Sequence, residues 1–179
     1  MKLNKLAMIG TFAIAAISSQ AFAAQDATVN FNARLVAATC DISASKDLVN
    51  LGTHSLDKVT DITQAISESN FNLVLNKCTK VYDDEAQAKE VSILATGESL
   101  TGHSEMFADA QSSQIGVKLT GGDAKTPILP NTETTISGLK VMGDNDYIVP
   151  VVAGLYATTK DGVVAQKLNV PVTFSVAYD

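Results

Sequence analysis

Two cysteines, Cys40 and Cys78, carry the strongest chemistry in this 179-residue chain. Sulfur at those positions can close a disulfide or bind a metal. The compartment decides between them, and the first residues name it. Lys2 and Lys5 make a basic start, Leu6 to Ile17 is a short apolar run, and Ala21-Phe22-Ala23 places small residues where a signal peptidase cuts. Residues 1–23 are therefore expected to be a signal peptide, with the mature chain starting at Ala24 or, failing that, Gln25. An exported protein meets an oxidising environment, where a lone cysteine pair reads as one disulfide. A metal site needs further ligands, and neither His54 nor His103 stands at ligand spacing from a cysteine. The expectation is a Cys40–Cys78 disulfide, no metal and no cofactor.

Other chemistry is poorly supported. Ser, His and Asp all occur, but no G-x-S-x-G elbow frames a serine. Asp83-Asp84-Glu85 reads as a solvated acidic loop rather than a catalytic carboxylate pair. Neither a P-loop nor a dinucleotide fingerprint is present. Removing Lys2 and Lys5 leaves 11 basic against 19 acidic residues, a net charge of −8, with Arg34 the one arginine. Such a chain is a poor partner for nucleic acid. These features argue against an enzyme and against a nucleic-acid binder.

The elements that would hold the cysteines are strands. Thr28 to Val36 alternates, with Val29, Phe31, Ala33 and Leu35 on one face. Phe71 to Leu75 leads into Cys78, and Val91 to Ala95 follows the acidic stretch. Ile115 to Leu119 runs into a Gly121-Gly122-Asp123 turn. Tyr147 to Thr158 is long and largely apolar. Leu168 to Tyr178 alternates again, with Leu168, Val170, Val172, Phe174, Val176 and Tyr178 on one face and Pro171 on the other. Ser55 to Ser69 reads as loop with a short strand, and Ser104 to Gln111 as a turn of helix or a surface loop. Many short strands divided by Gly, Asn, Asp and Pro clusters predict one all-β sandwich.

Two segments admit two readings. The alternating stretch behind the cleavage site is either an ordinary first strand or a strand meant for another molecule. The closing strand is either the last of a complete sandwich or one bordering a gap. Their order and spacing resemble the subunits of chaperone–usher fimbriae of the type 1 and P pilus kind. Thr28 to Val36 with Cys40 beyond it is similar to the pilin N-terminal extension and first strand. Phe71 to Cys78 is similar to the strand bearing the second cysteine, and Ile115 to Leu119 with Thr126-Pro127-Ile128 to a recurring strand–turn unit. Tyr147 to Val151 resembles the long penultimate strand, and Val172 to Tyr178 the closing motif.

That resemblance implies an incomplete immunoglobulin-like β-sandwich completed by a donated strand. Residues 24–36 would be the donor extension running into the first strand, and 37–179 the pilin domain. Val29, Phe31, Ala33 and Leu35 would fill pockets of a neighbouring subunit. Val172, Phe174, Val176, Tyr178 and the Asp179 carboxylate would line the acceptor groove and meet a periplasmic chaperone before an outer-membrane usher. Localisation would be a fimbria on the cell surface. The short stretch from Ala24 to Cys40 resembles minor or adaptor pilins. Ala33 and Gln166 stand where family members often carry glycine. The rival expectation is a self-contained, secreted Ig-like module that binds a cell-surface ligand.

Overall fold

A computed structural model describes residues 40–79, 90–143 and 145–177. Thr28 to Val36, the signal segment, Asp83 to Glu85, Tyr178 and Asp179 lie outside the described residues. Eleven strands run in chain order through what is described: β1 (Asp41–Ala44), β2 (Ser67–Asn76), β3 (Glu90–Thr96), β4 (Ser99–Leu100), β5 (His103–Phe107), β6 (Ile115–Gly121), β7 (Thr126–Ile128), β8 (Glu133–Ser137), β9 (Lys140–Gly143), β10 (Asp146–Ala157) and β11 (Thr173–Ala177). One 3-10 turn, Leu56–Lys58, interrupts the β1–β2 connection.

The strands make two antiparallel sheets. The larger has the order β1-β2-β10-β6-β5-β4, with β7 added to β6 and β9 to β10. The smaller has the order β11-β3-β8. Period-two alternation decides which side chains lie between the sheets. Phe71, Leu73 and Leu75 from β2, Tyr147, Val149, Val151 and Ala153 from β10, and Val117 and Leu119 from β6 are buried on one side. Val91, Ile93 and Ala95 from β3 with Ile136 from β8 face them from the other.

β10 organises the larger sheet. It pairs with β2 from Tyr147↔Leu75 to Leu155↔Ser67 on one edge. Its other edge changes partner: β9 up to Ile148↔Lys140, then β6 from Val151↔Gly121. Pro150 stands in the gap between those two ladders. Its carbonyl accepts a bond from Gly122 N at 2.9 Å. In an antiparallel strand a residue's N–H and C=O point the same way, so the missing N–H of proline falls at the break, where no ladder needs it. Gly122 itself has φ +72° and lies so close to Ser137 O and Ile136 that a Cβ would have no room. This is how the chain turns from β6 into β7 beneath the core.

Two expectations need correction. Ser104 to Gln111 opens as strand β5, because Met106 and Phe107 are buried and Phe107 pairs with Val117. Propensity alone missed this, since Ser-Glu-Met-Phe shows no clean alternation. The closing strand is also shorter than expected. Its ladder with β3 begins at Thr173↔Thr96. β3 ends at Thr96, and Pro171, which has no N–H, lies ahead of β11 rather than within it.

Cys40 and Cys78 are joined, 38 residues apart in sequence. Cys40 precedes β1 and Cys78 follows β2, so the bond closes the end of the ladder that starts at Asp41↔Asn76. A loop of that length removes about 4 kcal/mol of chain freedom from the unfolded state in the entropy model. Cys40→Ser with Cys78→Ser should lower unfolding stability by about that amount. Urea unfolding of the two chains, and of the unaltered chain with reductant, would check it.

Candidate strand-acceptor cleft

The site grows out of an asymmetry in burial. Along β2, β3 and β10 the inward residues are almost wholly covered: Leu73, Leu75, Ile93, Ala95 and Val149 each have 0 % exposure. Along β11 the inward residues are not. Phe174 opposes Ala95 and Val176 opposes Ile93, so both point into the same core. Yet Phe174 and Val176 remain half-buried, as do Val172, Val170 and Leu168 ahead of them. On the facing wall Ile42 of β1, with Val49 and Leu51 beyond it, are also only half-buried.

Topology explains the exposure. β11 is the edge of the smaller sheet and β1 the edge of the larger among the described residues. The two edges approach each other without pairing. Phe174 touches the opposite sheet through Phe71, with ring centroids 6.0 Å apart and planes tilted by 56°. That contact covers part of Phe174, which stays half-buried. The result is an apolar cleft between β1 and β11, floored by the main core. An edge strand with no ladder partner on its outer side among the described residues and an alternating apolar face is suited to receive another strand.

The chain matches the fimbrial protein family over residues 16–179. It belongs to that family. It is a structural, non-catalytic subunit of a fimbria, and its place is the cell surface. Among solved structures, the P pilus rod subunit PapA aligns with a TM-score of 0.56 at 17 % identity, covering 85 % of this chain and 100 % of that one. A chaperone–usher pilus structure aligns at 0.52 and 19 %, covering 88 % and 98 %. The CupB6 tip adhesin of Pseudomonas aeruginosa aligns at 0.51 and 15 %, covering 76 % of this chain and 38 % of that one. No match is found among curated proteins. These likenesses establish the fold of this fimbrial subunit as the incomplete Ig-like sandwich.

The expected site residues divide accordingly. Val172, Phe174 and Val176 are brought together along the cleft. Val29, Phe31, Ala33 and Leu35, with Tyr178 and Asp179, lie outside the described residues. The sequence reading overlooked the opposite wall, Ile42, Val49 and Leu51; their spacing is irregular, and only the fold aligns them with β11. It also overlooked Asp109, which lies half-buried between β5 and β6. Its Oδ1 accepts bonds from Gln111 N at 2.9 Å and Ser112 Oγ at 2.8 Å, and its Oδ2 accepts one from Asn169 N at 2.7 Å.

The histidines are accounted for in bland ways. His54 Nε2 lies 2.6 Å from Leu51 O. His103 Nδ1 lies 3.6 Å from Glu105 Oε1, and Lys118 Nζ lies the same distance from that oxygen. Lys118 Nζ also sits 5.1 Å from the centre of the Tyr156 ring. Partly exposed clusters of this kind contribute at most about 1 kcal/mol. No group of three or more metal-type side chains converges among the described residues.

The bond from Asn169 N, with those from Ser112 and Gln111, holds the Asp109 carboxyl below its ordinary range, against the opposing effect of partial burial. A pKa lowered in the folded state gives stability that is full above the ordinary carboxylate value. That stability is lost as pH falls through the lowered one. Urea midpoints measured between about pH 5 and pH 2 should therefore fall more steeply for the unaltered chain than for Asp109→Ala. Parallel curves would contradict this role of Asp109.

Proposed function

We propose that this fimbrial subunit polymerises by strand exchange: the cleft between β1 and β11 receives a donor strand from one neighbour, and Thr28 to Val36 is given to another. The observation that carries the reading is the half-burial of Phe174 and Val176, which point into an otherwise closed core. The donor segment presents Val29, Phe31, Ala33 and Leu35 at alternate positions, which suits pockets along an extended cleft. Full burial of a Val, Phe or Leu side chain contributes roughly 1.5–3 kcal/mol and of the Ala33 methyl less, so the four together give a durable joint.

An unfilled cleft exposes core side chains and unpaired strand edge, a hazard during export. This supports a periplasmic chaperone that fills the cleft first, and an outer-membrane usher where the donor strand replaces it. Val172, Phe174 and Val176, with Tyr178 and the Asp179 carboxylate, are the proposed chaperone contacts. Residues 1–23 are proposed as the removed signal peptide. The short stretch between that cut and Cys40 supports a minor or adaptor place in the fibre.

Residues 24–179 produced without a chaperone should be unstable or self-associated, and co-production of a fimbrial chaperone should restore a soluble complex. Yield, particle size and thermal midpoint measure this; a stable, chaperone-independent monomer would refute the reading in favour of a self-contained binding module. Phe31→Arg should leave the chaperone complex intact and block incorporation into fibres. Normal fibre growth by that variant would remove Phe31 from the donor role.

A further inference from the structure

Ahead of β11 the chain keeps the alternation of a strand but has lost the ladder. Leu168, Val170 and Val172 are half-buried against the main core, and Lys167, Asn169 and Pro171 are exposed. Leu168 and Val170 make no backbone–backbone hydrogen bond with the described residues. The neighbouring strand has already turned away: at Gly97 the chain passes so close to Pro171 that a Cβ there would sit 3.1 Å from Pro171 O and 3.0 Å from Phe107 Cδ1.

The loop between β5 and β6 holds the segment instead. Asp109 Oδ2 accepts from Asn169 N at 2.7 Å. Gln114 binds twice, as a strand residue would: Nε2 donates to Gly162 O at 3.1 Å, and Oε1 accepts from Val164 N at 2.9 Å. Ser113 N donates to Gln166 Oε1 at 3.3 Å. These four bonds, all drawn from residues 109–114, fix a stretch that has no sheet partner among the described residues.

β11 has five residues and spans roughly 17 Å, whereas a donor of nine residues, the length of Thr28 to Val36, would span roughly 30 Å when extended. Leu168 to Val176 also has nine residues. β11 alone lines about half of what a nine-residue donor covers.

We propose that Asp109 and Gln114 are positioning residues of the acceptor cleft, holding residues 162–170 as a ladder-free continuation of β11 so that the cleft takes a nine-residue strand. The proposal rests on the strand-acceptor reading of the preceding section. A preformed second half spares the incoming strand the cost of ordering it, and that difference is felt in exchange rate and affinity.

The test uses the chain held by its chaperone, as it would be purified, and a synthetic peptide of residues 28–36. Chaperone release on adding peptide gives the exchange rate, and hydrogen exchange of the product maps the protected residues. In the unaltered chain, protection should run from Leu168 to Ala177. In Asp109→Ala with Gln114→Ala, exchange should be about tenfold slower, with new protection confined to Thr173 to Ala177. An unchanged rate, or protection reaching Leu168 in the variant, would overturn the proposal. So would loss of β11 protection in the variant before peptide is added, which marks general unfolding. If the unaltered chain never exchanges chaperone for peptide, the strand-acceptor reading falls, and the positioning role with it.

Discussion

A two-sheet sandwich is stable only if its inner faces are sealed along both flanks, and among the described residues one flank, between β1 and β11, has no strand of its own. Everything else in the fold is arranged around that unsealed seam between β1 and β11. Backbone groups at a bare strand edge and apolar side chains beneath it both seek partners, and the two demands are met by the same object, an extended strand. Sealing by a detachable segment turns a defect of closure into a means of joining one subunit to the next. The interface then resembles a domain core more than a surface contact, which is why its dissociation would be slow.

The rest of the sandwich has to stay rigid while that seam is open. β10 supplies much of this rigidity, twelve residues long and paired along both edges. Its change of partner at Pro150 lets one edge bind β9 and then β6, while the other edge stays paired with β2. The β3 end is steadied separately: Asn131 Nδ2 donates to Gly97 O at 2.8 Å, and Gly97 N donates to Asn131 Oδ1 at 3.3 Å. Such a side chain stands in for ladder bonds where β3 ends and its sheet cannot continue.

Much of this was legible in the sequence because period-two patterning is a local signal. Val91 to Ala95, Ile115 to Leu119 and the long Tyr147 stretch lie in strands, and the two cysteines meet. β5 was missed because its burial comes from a tertiary neighbour, Val117, and not from alternation. The early end of the β3–β11 ladder was hidden too. Pro171 was visible, but the turn of β3 at Gly97 is set by packing against Phe107. Ile42, Val49 and Leu51 share no period, so only the three-dimensional path of the chain reveals them as one wall. Asp109 resembles any exposed loop acid until the fold brings Asn169 to it, 60 residues on.

The disulfide also has a mechanical meaning. With Thr28 to Val36 as the strand given away, as proposed above, tension in an assembled fibre would enter this domain just ahead of Cys40. Without the sulfur bridge that pull would reach Asp41 and peel β1 from β2 one pair at a time, the weakest way to load a ladder. With it, force crosses from Cys40 to Cys78 through a covalent bond and passes into β2, which is anchored along nine pairs to β10. β1, four residues long and one wall of the cleft, is spared the pull that arrives at Cys40. The bridge thus works as a strain relief, keeping the socket's shape while the cable running into it is pulled.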